Sequence, residues 1–388
     1  MTRKIPLAWL QLTREKTRLI VALAGIAFAN ILMFMQLGFR EALFESNVQF
    51  HKSLNGDIVL INPQSASLLS MQTFAQRRLY QALMLPEVES IHPIYIGFTN
   101  WKNPQTQKLR SIQVIGFKPD ATIDLPGVQQ NLDAIKQQDV VLFDRGSREE
   151  FGTIAADFTE GKAISTEVGG RNIRVGGLFE LGTSFGADGN LITSDLNFLR
   201  LFSGEGRQLG LIDIGLVQLK PGVDVNAVAA KLRNYLSSQK DVRVLTKQEF
   251  IEFEKNYWAN STAIGFIFTL GTVMAFIVGT VIVYQILYSE IADHLPAYAT
   301  LKAIGYTQYY LLIVVFQQAL ILATLGYIPG FAFATFQYTM VRQETLLPIT
   351  MTVGRALMVL LLTILMCSVS GAIAIRKLRA ADPADVFG

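Results

Sequence analysis

The sequence predicts an α-helical membrane protein with four transmembrane helices and a large mixed α/β extracytoplasmic domain. Three observations carry that expectation. Of the 388 residues, 51% are hydrophobic and 17% charged, against about 25% charged in ordinary soluble domains. Four stretches, Leu19 to Phe39, Ala263 to Leu287, Leu311 to Tyr338 and Ala356 to Ile375, contain no Asp, Glu, Lys, Arg or His. Each is long enough to cross about 30 Å of hydrocarbon at roughly 1.5 Å per residue. The segment from 40 to 260 lacks any such run and alternates strand and helix patterns.

Residues 1–18 come first. In "IPLAWLQLTREKTRL" Pro6 suits a first helical turn, Trp9 suits the lipid interface, and Arg14, Lys16 and Arg18 suit anionic headgroups. The stretch reads as an amphipathic helix on the cytoplasmic surface, with a plain topology-setting basic flank as the alternative. The first apolar run, 19–39, could mimic a secretory signal, because Ala27-Phe28-Ala29 resembles a cleavage site. Apolar sequence continues past that triplet and exceeds an h-region of about 7 to 15 residues, so the run reads as a retained anchor.

The 40–260 segment forms the external domain. "GDIVLI" and "VESIHPIYIGF" read as strands flanking a helix in "MQTFAQRRLYQALM". "LIDIGLVQLK", "DVNAVAAKLRNYLSSQ" and "DVRVLT" repeat the strand, helix, strand order. Two such units suggest a split, ferredoxin-like part at about 50–114 and 209–250. A glycine-richer, β-rich insertion fills about 115–208. No cysteine occurs there; Cys367 lies in the fourth span and reads as a packing residue.

Spans 263–287, 311–338 and 356–375 follow. They carry uncharged polar residues, Gln285, Gln317 and Gln318, as the first span carries Asn30 and Gln36; interhelical hydrogen bonding is the simplest use of these groups. "GYIPGF" places Pro329 beside Gly330, where a kink or local break is expected, read first as a static bend with a moving hinge at Pro329 and Gly330 as the alternative. Basic residues before the first span, and Arg376, Lys377 and Arg379 after the last, put both termini in the cytoplasm. The connector at 288–310, YSEIADHLPAYATLKAIGYTQYY, is then cytoplasmic, the loop at 339–355 is external, and 376–388 is a cytoplasmic tail.

Catalysis finds no support. Gly161-Lys162 lacks the remainder of a phosphate-binding G-x-x-x-x-G-K-[ST] loop, and no H-E-x-x-H or G-x-S-x-G motif is present. His51, His92 and His294 are far apart in sequence and fall on both sides of the predicted membrane. No catalytic residue, metal site, bound cofactor or nucleic-acid partner is therefore expected. The spans hold no ionisable group to bind a driving ion, so energy for any work must come from a partner.

"AWLQLTREKTRLIVALAGIAFANILMFM" resembles the opening of the FtsX/MacB-like ABC transporter permeases. "LKAIGYTQYYLL" resembles their cytoplasmic signature and "LRAADPADVF" their ending, so the likeness covers essentially the whole chain. Wording such as "LPAYATLKAIGY" is most similar to the DevC branch, the permeases of cyanobacterial exporters of heterocyst glycolipids. The resemblance implies a MacB-like, type VII architecture: a homodimer with a separate ABC ATPase that holds the ATP and Mg. It further implies a periplasmic adaptor, a TolC-like outer-membrane channel, contact with membrane lipid, and residence in a cyanobacterial inner membrane. The implied function is to transmit ATPase motion to the periplasmic domain and drive export of a lipid or glycolipid. The alternative within the family is mechanotransmission for lipoprotein extraction or cell-wall hydrolase activation. Carried over by motif, Leu301, Lys302, Ala303 and Gly305 match the signature, and Glu290 matches the acidic residue after the second span. With His294 they make the expected ATPase-coupling set. The segment "HLPAYAT" departs from the family's usual R-E-[IF]-[GA].

Overall fold

The structure, a computed structural model, describes residues 7–120, 122–203, 207–294, 296, 300, 304–305 and 307–380. In chain order its helices are α1 (Leu7–Arg14), α2 (Lys16–Ser53), α3 (Arg77–Gln81), α4 (Leu132–Ile135), α5 (Ile154–Thr159), α6 (Asp195–Leu201), α7 (Val225–Tyr235), α8 (Lys247–Asn256), α9 (Ala263–Asp293), α10 (Gln308–Thr345) and α11 (Val353–Ala380). The strands are β1 (Ile58–Ile61), β2 (Phe74–Ala75), β3 (Val88–Lys102), β4 (Leu109–Phe117), β5 (Val140–Asp144), β6 (Ser165–Val168), β7 (Arg171–Phe179), β8 (Asn190–Ser194), β9 (Leu211–Ile212), β10 (Ile214–Leu219) and β11 (Arg243–Thr246). The chain divides into a helical unit, residues 1–42, 263–345 and 349–388, and a sheet unit, residues 43–262 and 346–348.

Among the described residues, four helices are long and apolar enough to cross a membrane, the first being α2 and the others α9, α10 and α11. Their sequences are apolar around most of the circumference, which suits a lipid solvent. Glycines set the close approaches: a Cβ on Gly326 would meet Ile26 at 2.6 Å, and one on Gly25 would meet Ile282 at 2.6 Å. Small residues at helix crossings are the usual device where lipid removes the hydrophobic drive for association. α2 extends well past the apolar run that ends at Phe39. Leu43, Asn47, Phe50 and His51 are buried at helical spacing in that extension, which gives it a packed face. Thr363 and Ser370 are also buried polar positions along α11.

In the sheet unit, nine strands run in the order β11-β1-β10-β3-β4-β8-β5-β7-β6. The run β11-β1-β10-β3, with α3 between β1 and β3 and α7 between β10 and β11, is a split βαβ arrangement. β3 is long enough to serve twice: its first half pairs with β10 and its second with β4. Trp101 near its end also opposes Val168 of β6, so the inserted strands curl back on β3. Trp101 is fully buried and its Nε1 donates to the Phe151 carbonyl at 3.0 Å. β1, read as IVLI, is buried on both faces: Ile58 and Leu60 join one apolar cluster, Val59 and Ile61 the other.

The helix expected across 71–84 is shorter than its sequence suggests. Phe74 and Ala75 pair instead with Ile212 and Leu211, so the helix begins at Arg77 and ends in a tighter turn at Ala82–Met84. Burying Phe74 against the sheet outweighs the local helical pattern. Of the kink or local break expected at Pro329, the break is absent, since α10 runs from Gln308 to Thr345 with Pro329 inside it.

Candidate functional site

The connector end of the helical unit collects charge. Arg18, at the start of α2, pairs with Glu15 at 2.9 Å and also with Asp293 at the end of α9. One helical turn before Asp293, Glu290 is buried, and His294 lies opposite it with Nδ1 3.6 Å from Glu290 Oε1. The i, i+4 spacing on a helix brings this pair together. The same Nδ1 is 3.0 Å from the Glu290 carbonyl oxygen. Arg18, expected as a lipid anchor, is therefore also a link between α2 and α9. Arg14 and Lys16 remain exposed.

α1 supplies the neighbouring surface. Its Gln11 Oε1 accepts a hydrogen bond of 3.0 Å from Gln318 Nε2 of α10, while Ala8 and Leu12 are buried. Trp9 and Leu10 face outward, 44% and 51% exposed. A helix that packs Ala8 and Leu12 inward and turns Trp9 and Leu10 away suits a lipid interface. Gly305 has φ of +107°, and a Cβ there would meet none of the described residues within 4 Å. Its constraint is conformational, as at a left-handed helix cap. Leu301, Lys302 and Ala303 lie outside the described residues, as do residues 381–388 of the tail motif.

The helices that leave this end are cross-tied. Asn30 Oδ1 accepts from Thr363 Oγ1 at 2.6 Å, joining α2 to α11. Gly330 lets α10 reach α2: a Cβ there would stand 2.8 Å from Asn30 Cβ and 3.1 Å from the Ala27 carbonyl oxygen. Pro329 is its neighbour, so the residues expected to make a hinge border a tight helix crossing. At the far end Arg355 is buried, donating to Thr350 O at 2.8 Å and Glu41 Oε2 at 2.6 Å, with its guanidinium 5.3 Å from the Tyr338 ring centroid.

The family model described as the MacB-like periplasmic core domain matches residues 19–235, more than half of the chain, and the model described as the FtsX-like permease C-terminal matches residues 263–383. The chain belongs to the MacB/FtsX-like permease family. Among solved structures, the periplasmic region of MacB from Actinobacillus actinomycetemcomitans is 13% identical, covers 53% of this chain and 95% of its own, and gives a TM-score of 0.38. The extracellular domain of the noncanonic ABC-type transporter YknZ from Gram-positive bacteria is 12% identical, with coverage of 49% and 100% and a TM-score of 0.34. No curated protein matches the chain.

The sheet unit of this permease holds two polar groups that no sequence motif marks, of which the one around His92 lies wholly within the core-domain match. His51 is fully buried, with Nε2 3.5 Å from Glu254 Oε2 of α8. Glu254 also accepts from the Leu68 N–H and from Trp258 Nε1, each at 2.8 Å. This node ties the outgrowth of α2 to α8, the two segments that join the sheet unit to spans in the chain. A cavity of about 20 Å³ lies beside it, lined by Ser46, Asn47, Gln113, Asn190 and Glu254, room for roughly one water. Only a helical stripe containing both Asn47 and His51 could have signalled this polar core from sequence.

The second group surrounds His92. Its Nε2 is 2.8 Å from Ser90 Oγ and its Nδ1 2.9 Å from Asp120 Oδ2. The contact order is that of an acyl-transfer relay, but Ser90 also donates to Gln218 Oε1 at 3.1 Å from directly across the β3–β10 ladder. The group thus stitches two strands to the 120–122 turn. Burial alone would raise the Asp120 carboxyl, yet hydrogen bonds from His92 and Thr122 hold it below its ordinary value. At Gly161, φ is +82°, and Lys162 pairs with Asp157 and Glu160, so that glycine serves a turn. Among the described residues, no three His, Cys, Asp or Glu side chains are grouped to hold a metal.

Proposed function

We propose that this permease is the transmembrane subunit of an ATP-driven exporter, worked by a separate ABC ATPase that holds the ATP and Mg. The observation that carries the reading is the connector end. Arg18, Glu290, Asp293 and His294 gather there, with α1 lying against α10. A docking ATPase would meet these groups together, and a push at the connector would reach α2 through the Arg18 and Asp293 pair. α2 runs from Lys16 to Ser53 without interruption, and its far portion is held to α8 by the His51 and Glu254 node.

The cargo proposed is a lipid or glycolipid, in keeping with the DevC-like wording of the connector, handed to a periplasmic adaptor and a TolC-like channel. Two copies would form the working unit. α9 supports this by leaving Phe266, Leu270, Val273 and Ile277 uncovered along one side. The proposed setting is a cyanobacterial inner membrane, with both termini and the connector on its cytoplasmic side.

Affinity purification of the tagged full-length protein from its native membrane, followed by mass spectrometry of proteins and lipids, tests the proposal. The expected result is stoichiometric copurification of an ABC ATPase and an adaptor with a long helical hairpin. Recovery of an ATPase with a cell-wall hydrolase or lipoprotein instead would overturn the export reading.

A further inference from the structure

A loop of the sheet unit presents an apolar side chain to solvent from a turn built to hold it there. Residues 181–190, LGTSFGADGN, join β7 to β8. The base of the loop is fixed, since the N–H groups of Leu181 and Gly182 donate to the buried Asp144 carboxylate at 3.0 and 2.9 Å. Asn190 Nδ2 donates to the same carboxylate at 2.7 Å and to Gly182 O at 3.0 Å. The tip is fixed too: Ser184 Oγ accepts from the N–H groups of Gly186 and Ala187 at 3.2 and 3.0 Å. Phe185 projects from this tip and is 52% exposed.

The ring of Phe185 meets Trp258 edge-on, with centroids 5.4 Å apart. Gly186 lies against Leu69, which is itself 36% exposed. Tyr257 flanks Trp258 on another side at 5.5 Å. Trp258 cannot swing away freely, because its Nε1 is held by Glu254.

Chain length locates this patch relative to the bilayer. Trp258 precedes by five residues the start of α9 at Ala263, where the apolar run begins. Residues 257–261 are coiled in a wide helical turn and Thr262 is extended, so the chain keeps Trp258 within about 10 Å of Ala263, at roughly 1.5 Å per helical residue and 3.3 Å for the extended one. The headgroup zone outside the hydrocarbon is about 5–7 Å deep on each side. Aromatic side chains concentrate at that depth, and half-exposed apolar surface there gains on leaving water.

We propose that Phe185 and Leu69, backed by Trp258, form a lip that inserts into the outer-leaflet headgroup region. The partner is bilayer lipid. The inference rests on α9 being a membrane span and not on ATP-driven export, and its test involves no nucleotide or cargo.

Cys367 is the single cysteine of the chain, so Cys367→Ala gives a background for spin labelling. Phe185→Cys and Leu69→Cys, each labelled with a nitroxide in the full-length protein, are placed in nanodiscs of phosphatidylcholine and phosphatidylglycerol. Power saturation then compares access to oxygen with access to a water-soluble nickel chelate. Leu209→Cys, at a position 85% exposed, provides the aqueous reference. The lip predicts an oxygen-to-nickel ratio several-fold above that reference at both sites. A ratio equal to the reference would overturn the proposal, and low access to both reagents would overturn it by showing a protein partner instead of lipid.

Discussion

At the residue scale, magnitudes separate groups that hold the fold from groups that set geometry. Arg18 and Asp293 are 46% and 44% exposed, and a pair so exposed contributes about 0–1 kcal/mol. Its value is in registering α2 against α9. Arg18→Asp should therefore leave folding nearly unchanged but impair ATP-driven transport in reconstituted vesicles, and adding Asp293→Arg should restore much of it. Asp120 is a stability group instead. Its carboxyl is held below the ordinary 3.8, so its contribution is complete above that value and is lost as pH falls through the depressed one. Asp120→Asn should cost about 1–3 kcal/mol at neutral pH and flatten the acid limb of the thermal-unfolding profile followed by tryptophan fluorescence. The Glu290 and His294 pair is legible in sequence because i, i+4 spacing is local. Arg18 meeting Asp293 is not, because no period relates residues so far apart along the chain.

At the element scale, capping and close approach decide the outcomes. α8 opens on a capping box in which Thr246 Oγ1 accepts the Glu249 N–H and Glu249 returns a bond to the Thr246 N–H. Thr246→Ala should destabilise the sheet unit by about 1 kcal/mol, read as a fall in thermal midpoint. Gly330→Leu should separate α10 from α2, because Asn30 and the Ala27 carbonyl occupy the space; the expected result is a lower midpoint of the detergent-solubilised permease with insertion retained. At Gly305 no described residue obstructs a side chain, and the +107° backbone resists substitution. Asparagine should then be tolerated better than valine there, in ATP-driven transport. Span positions follow from apolar length alone. The continuation of α2 to Ser53 does not, since its packed face mixes Ser46, Asn47 and His51 with Leu43 and Phe50. Nor does the short β2, whose pairing with β9 is decided by tertiary burial of Phe74.

At the scale of the whole molecule, the βαβ repeats are visible in sequence because each half is a contiguous pattern. The parallel pairings of β4 with β8 and β5 with β7 join segments across long loops and leave no local trace. The connector end is the proposed receiving surface for an ABC ATPase. Ile304 is 71% exposed beside Gly305, which suits it to replacement by a photo-crosslinking amino acid in native membranes. Illumination followed by mass spectrometry of the adduct should yield a protein carrying the ATP-binding motifs of an ABC ATPase. Adducts only with lipid, or only with proteins that lack those motifs, would contradict the account.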